Sequence, residues 1–149
     1  MRSRSIDPLV DAERLLSWQA FNAVADNSDG HAKNLSLLHD PRAGIRLAPF
    51  YDLVCTRAIA RVDARLAFSI GGQRRAADLE ARHWKAFADA CDIGHRFVLD
   101  LVRRTLEATV EAVAPTRTEF ERRHGPTPAL QRVERVIATQ TKRLGHALG

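Results

Sequence analysis

Long apolar runs are missing from this 149-residue chain. None approaches the roughly 18–20 residues that span a bilayer, so no transmembrane helix and no membrane partner are expected. Cysteine is scarce: Cys55 and Cys91 stand alone and far apart. Such a pair has neither the close spacing of a zinc site nor the density of a disulfide framework. The two thiols read as packing residues in a reducing cytoplasm. The start, Met1-Arg2-Ser3-Arg4-Ser5, is charged but leads into no apolar stretch, so no secretory signal is expected. Lysine is rare too. Of 23 basic residues only Lys33, Lys85 and Lys142 are lysine. The chain holds no internal repeat and no low-complexity tract.

What is present is ordinary for a globular domain: 45% hydrophobic and 28% charged residues, in a chain long enough for one core. The net charge of +5 would attract phosphate groups or nucleic acid. Arg57, Arg61, Arg65, Arg74 and Arg75 form the densest basic run, opposed only by Asp63. Direct nucleic-acid binding through that run is the weaker reading, because no nucleic-acid-binding motif accompanies it. Solvated helix faces in an arginine-rich chain explain the charge more simply.

Periodicity predicts a mainly α domain with one small β-hairpin near the N-terminus. Asp7-Pro8 reads as an N-cap and first helical residue, opening a helix to about Ala25 whose apolar positions include Leu9, Leu16, Ala20 and Val24. Leu15, Trp18 and Phe21 lie beside that stripe. A polar loop follows, Asp26-Asn27-Ser28-Asp29-Gly30. Residues 34–39 and 45–48 read as two strands around the turn Asp40-Pro41-Arg42-Ala43-Gly44. Residues 66–70 read as a third short strand or an extended segment. Three helices are expected after that: Glu80 to Cys91; Arg96 to Ala114, closed by Pro115; and one opened by Thr127-Pro128. The middle one places Phe97, Val98, Leu101, Val102, Leu106, Val110 and Val113 on one face. The last buries Leu130, Val133, Ile137, Leu144 and Leu148.

The chemistry concentrates in Asp29-Gly30-His31-Ala32-Lys33-Asn34, followed after the hairpin by Asp52. A phosphoryl-transfer site needs a carboxylate to orient the attacking hydroxyl, and oxygen ligands to hold magnesium against the phosphates. Protein kinases place the catalytic Asp and a metal-binding Asn five residues apart, with a second metal-binding Asp farther on. Asp29 and Asn34 have that spacing. On spacing alone, a turn aspartate and a turn asparagine stand as equal readings.

The blocks Phe21-Asn22 with Asn27 through Ser36, and Arg46-Leu47-Ala48-Pro49-Phe50-Tyr51-Asp52-Leu53-Val54, resemble the signatures of HipA-type serine/threonine kinases, the toxins of bacterial toxin–antitoxin pairs. Leu66 to Gly72 is similar to the family's next segment. Beyond about Arg75 the likeness is one of helical character only. The resemblance implies a kinase C-lobe-like fold, with Asp29 as catalytic base, Asn34 and Asp52 as magnesium ligands that also hold the nucleotide, and His31 as a support of the loop. Lys33 would neutralise phosphate charge, or else face solvent. Gly30 would supply a backbone conformation that a Cβ hinders, and Phe50 and Tyr51 would pack.

The resemblance also implies Mg2+ and ATP as cofactors, a protein substrate, an antitoxin partner, and DNA contact only through that antitoxin. No glycine-rich phosphate loop precedes Asp29, so residues 1–149 are expected to form a single C-terminal domain without the ATP-binding N-lobe. A fragment of a full kinase, a short protein paired with a separate N-lobe, and an inactive remnant all fit. As an interaction module, the domain would offer a patch on its first helix that includes Trp18, Leu15 and Phe21.

Overall fold

The computed structural model describes residues 5–42 and 44–149; Met1 to Arg4 and Ala43, with the charged start and the centre of the first turn, lie outside them. Among the described residues the chain forms four α-helices and two small antiparallel hairpins. Helix α1 spans Pro8–Val24. Its start is set as the sequence implies: Asp7 accepts a hydrogen bond from the Val10 amide at 3.2 Å, and Pro8 occupies the first turn, where its missing N–H costs nothing. The helix ends where Asp26 turns left-handed, at φ 48°.

Strands β1 (Leu37–Asp40) and β2 (Gly44–Leu47) form the expected hairpin, with Leu37 opposite Leu47 and Asp40 opposite Gly44. A second hairpin pairs β3 (Arg65–Ile70) with β4 (Gln73–Arg75), so the segment around Leu66 is a true strand. Its turn requires glycine: Gly71 has φ 54°, and a Cβ there would lie 2.2 Å from the His83 carbonyl oxygen.

Helices α2 (Ala81–Cys91), α3 (His95–His124) and α4 (Pro128–Leu148) complete the domain. One core joins them all: Leu16, Ala20 and Val24 from α1, Leu66 and Ile70 from β3, Trp84 and Ala88 from α2, Val98 to Leu106 from α3, and Leu144 and Leu148 from α4. Among the described residues, no helix is long and apolar enough to cross a membrane.

Four expectations change. Pro115 does not close α3, which runs on to His124. Proline lacks the N–H that would bond the Glu111 carbonyl. Both residues are exposed, so water can take that carbonyl. The second half of α3 is held instead by α4, through Arg117–Glu134 at 3.5 Å and an apolar cleft lined by Val113, Leu130, Val133 and Ile137. Phe97 and Val110 are also outside the core, 42% and 55% exposed, because they line grooves beside it. Trp18 is only 5% exposed, stacked on Phe50 at 5.9 Å and edge-on to Phe68 at 6.2 Å. It is therefore largely buried, and reaches the surface only in the lining of two apolar clefts, one shared with Leu15 and the other with Phe21. On α4, Leu144 and Leu148 are buried, whereas Leu130, Val133 and Ile137 are half-buried.

Replacing Pro115 with alanine restores the missing intrahelical bond. The Pro115→Ala chain is expected to gain stability, by up to about 3 kcal/mol, measured by urea unfolding. An unchanged midpoint would mean that α3 is already relaxed around the proline.

Candidate functional site

Residues 25–31 leave α1 as a mostly buried loop with no strand to pair with; the amides of Ala25, Asp26 and Asn27 reach back to carbonyls of α1, and side chains supply much of the rest. Asparagines do this. The Asn27 amide Nδ2 donates to Asn22 Oδ1 at 3.0 Å, and Asn27 Oδ1 accepts the Asp29 N–H at 3.0 Å. Asn34 Oδ1 accepts the His31 N–H at 3.2 Å, closing the short 3-10 turn Ala32–Asn34. Gly30 is required by space and not by φ: a Cβ would sit 2.6 Å from Asn22 Nδ2. Sequence reasoning passed over the structural role of Asn22. The available signal was an amide at the end of an apolar helix, which needs a buried partner.

The two residues read as metal ligands meet. Asn34 Nδ2 donates to Asp52 Oδ2 at 2.6 Å across 18 residues of sequence. Asn34 is 4% exposed, while Asp52 is open to solvent and adopts φ 56°. A left-handed aspartate is uncommon, and the bond from Asn34 helps hold it there. Asp29 is exposed, its Oδ1 3.5 Å from His31 Nε2. His31 Nδ1 is buried without a hydrogen-bond partner. The Lys33 side chain is exposed and no contact joins it to the carboxylates, but its backbone carbonyl accepts the Tyr51 hydroxyl at 3.0 Å. Tyr51 also bonds Ser36 at 2.9 Å. Tyr51 is thus more than a packing residue, since it ties the segment before Asp52 to the loop after Asp29.

A second device, invisible in the sequence, aims that segment. Asp11 on α1 is 3% exposed; its carboxylate accepts the Leu47 N–H at 3.0 Å and the Ser5 hydroxyl at 2.7 Å. One turn on, the Arg14 guanidinium donates to the carbonyls of Leu47 at 2.8 Å and Ala48 at 3.0 Å, and lies over the Phe50 ring at 5.4 Å. Helix α1 therefore grips the end of β2 by both its donor and its acceptors, and Asp52 leaves the hairpin in one direction.

Beneath the loop, Asp26 is buried and its carboxyl lies above the usual carboxylate range, chiefly because burial disfavours the charge. Cys55 is partly buried and its thiol is likewise pushed up by desolvation, which suits a packing role. In the basic run, Arg65 pairs with Asp63 at 2.8 Å and the Arg74 Nε donates to the Leu66 carbonyl at 2.9 Å. Those guanidiniums are partly engaged within the chain.

An asparagine-braced loop with an exposed aspartate, a hairpin, and a second aspartate bonded to the loop, all carried on a helical body, define a kinase-type C-terminal lobe. The HipA-like C-terminal domain family matches residues 1–114, and the chain belongs to that family. A Sinorhizobium fredii protein named "Putative kinase Y4mE" is 35% identical over 114 residues, covering 76% of this chain and 27% of that relative. The serine/threonine-protein kinase toxin HipA of Shewanella oneidensis is 27% identical over 108 residues, covering 72% of this chain and 25% of the toxin. A chain of the solved Shewanella oneidensis complex of HipA, HipB and operator DNA matches with a TM-score of 0.85 at 20% identity, over 98% of this chain and 34% of that one; this likeness concerns the fold. The chain spans about a quarter of the length of the curated relatives it matches.

Two outcomes follow. Asp11→Ala leaves the buried Leu47 N–H without its acceptor and is expected to cost roughly 1–3 kcal/mol in urea unfolding; a loss within error would mean that water replaces the carboxylate. Asp26 holds its proton more tightly folded than unfolded. Its ionisation therefore costs stability as pH rises above 3.8 and through the raised folded value, after which the loss levels off. Asp26→Asn keeps an acceptor for the same neighbour and does not titrate, so the stability difference between variant and wild type should grow over that window. A difference independent of pH would exclude Asp26 as the titrating group.

Proposed function

We propose that this chain is the C-terminal catalytic part of a HipA-like serine/threonine-protein kinase, transferring the γ-phosphoryl group of ATP to a protein hydroxyl in a magnesium-dependent reaction. The observation that carries this reading is the 2.6 Å bond between Asn34 and Asp52, which gathers an amide and a carboxylate next to the loop of Asp29. Asp29 is the exposed member, free to orient a serine or threonine hydroxyl and accept its proton. His31, with Nε2 3.5 Å from Asp29, steadies that carboxylate. Lys33 supplies a point cation for phosphate charge.

The donor set suits magnesium, which takes one or two protein oxygens and fills its shell with water and phosphate. Asp52 offers the oxygen not bonded to Asn34, and Asn34 Oδ1 keeps a second lone pair beyond the one used by His31. When bound, the ion neutralises charge on the phosphates. Among the described residues no group of three or more His, Cys, Asp or Glu could hold a metal without such help. The nucleotide cradle would come from an N-lobe outside residues 1–149, either covalently joined or supplied by a partner. Cytoplasmic location, a protein substrate and an antitoxin partner that mediates any DNA contact follow from the same reading; the related Shewanella complex contains HipB and operator DNA.

The second reading is an inactive module that binds such a lobe or antitoxin. An apolar groove favours it, lined by Leu9, Val10, Ile93 and Phe97, with Leu9 84% exposed. In the presence of the N-lobe, magnesium-dependent ATP binding, followed by calorimetry, is expected to disappear in Asp52→Ala; binding that survives removes Asp52 from the metal set. With the N-lobe supplied, Asp29→Asn should keep nucleotide binding and lower phosphoryl transfer roughly 10²–10⁴-fold. Transfer at the wild-type rate would reject Asp29 as the base.

A further inference from the structure

Asp26 stands three residues before Asp29 and is 4% exposed, in a left-handed conformation. Its Oδ2 accepts a hydrogen bond from Gln140 Nε2 at 2.9 Å, across 114 residues of sequence. Gln140 is itself 4% exposed, on α4, beyond the residues matched by the family. The backbone of Asp26 is bonded as well. Its carbonyl accepts the Thr56 hydroxyl at 2.9 Å and the Arg57 N–H at 3.3 Å, and Thr56 Oγ1 in turn accepts the Ser28 N–H at 2.8 Å. One residue thus links three elements: the loop of Asp29, the turn that follows Asp52, and α4.

We infer that Gln140 is a positioning residue: through Asp26 it locks the loop that carries Asp29, which makes α4 a strut of the site and not an appendage to the family's domain. The role of that loop rests on the phosphoryl-transfer reading above; the positioning itself does not.

Three observations support the assignment. A buried carboxylate must have a donor, and Gln140 is the hydrogen-bonding one; the Arg57 Nε lies farther off, 4.0 Å from Oδ2, and Arg143 acts only through its charge. The other oxygens of the pair, Asp26 Oδ1 and Gln140 Oε1, have no hydrogen-bond partner, so no second bond would hold the contact if this one were lost. Helix α4 is firmly seated where Gln140 projects from it: Leu144 lies one turn on in the core, and Arg132 Nε donates to the Ala58 carbonyl at 3.3 Å. The donor is therefore presented from a rigid element.

The test is amide hydrogen exchange on the whole chain, read residue by residue. Gln140→Met keeps the length of the side chain and removes the donor. A hydrogen bond to a charged group contributes roughly 1.5–3 kcal/mol, so exchange at Ser28 and Asp29 should speed up about tenfold to a hundredfold. The core amides of Val98 to Leu106 should move far less. The exchanged pair Asp26→Asn with Gln140→Glu rebuilds the bond with its polarity reversed, and asparagine tolerates the left-handed backbone. It should return loop exchange to the wild-type rate, and it carries the test if Gln140→Met does not fold. Equal acceleration at every amide, acceleration confined to α4, or an exchanged pair that leaves the loop as loose as Gln140→Met would each overturn the inference. No nucleotide is needed. A loop loosened by Gln140→Met in a chain that transfers no phosphoryl group even with the N-lobe supplied would sustain this inference while the phosphoryl-transfer reading failed.

Discussion

A buried backbone that belongs to no helix or sheet must find its hydrogen bonds elsewhere, and the segment after α1 is such a backbone. Most of what distinguishes this domain meets that requirement. Asn27 and Asn34 present their carbonyl oxygens to the amides of Asp29 and His31, and Asn22 fixes Asn27 from the last turn of α1. Gly30 follows from the same packing, because Asn22 occupies the space a Cβ would need. Asn34 uses its remaining amide donor on Asp52, so the bonds that satisfy the loop also bring the two candidate magnesium ligands together.

The hairpin answers a related need at the other end. Asp52 lies in a loop that would be free to wander, yet the chain before it is clasped from α1 by Asp11 and Arg14. A carboxylate and a guanidinium one helical turn apart grip a strand by its N–H and its carbonyls, which fixes both position and direction. Tyr51 adds a third tie, from the segment to the Lys33 carbonyl. Two left-handed aspartates, Asp26 and Asp52, sit at the two ends of this arrangement. The strained backbone of Asp26 is held by bonds from several elements at once, and Asp52 is tied to the loop by Asn34, which suits a site whose groups must stay in place.

Much of the site was legible before any coordinates. The run Asp29-Gly30-His31-Ala32-Lys33-Asn34 with Asp52 identified the loop and its partner, and the hairpin between them followed from alternation and turn residues. The start of α1 was readable from Asp7-Pro8, a local signal for a local event. Pro115 misled because a proline's cost is local while the reward that outweighs it is not: α4 packs against the far half of α3. Trp18 misled for a similar reason. Its place beside the main stripe of α1 suggests an outward ring, but Phe50 and Phe68 close over it from other elements.

What the sequence determined by itself is whatever depends on near neighbours: the helix starts, the hairpin turn, and the order and spacing of the residues that would do the chemistry. Tertiary structure alone decided which distant groups complete them. Nothing local marks Asp11 as an acceptor for an amide 36 residues on, or Gln140 as a donor to an aspartate 114 residues back. Each is an ordinary polar residue on a helix. It becomes specific only when burial removes water as the alternative partner, and burial is a property of the assembled fold.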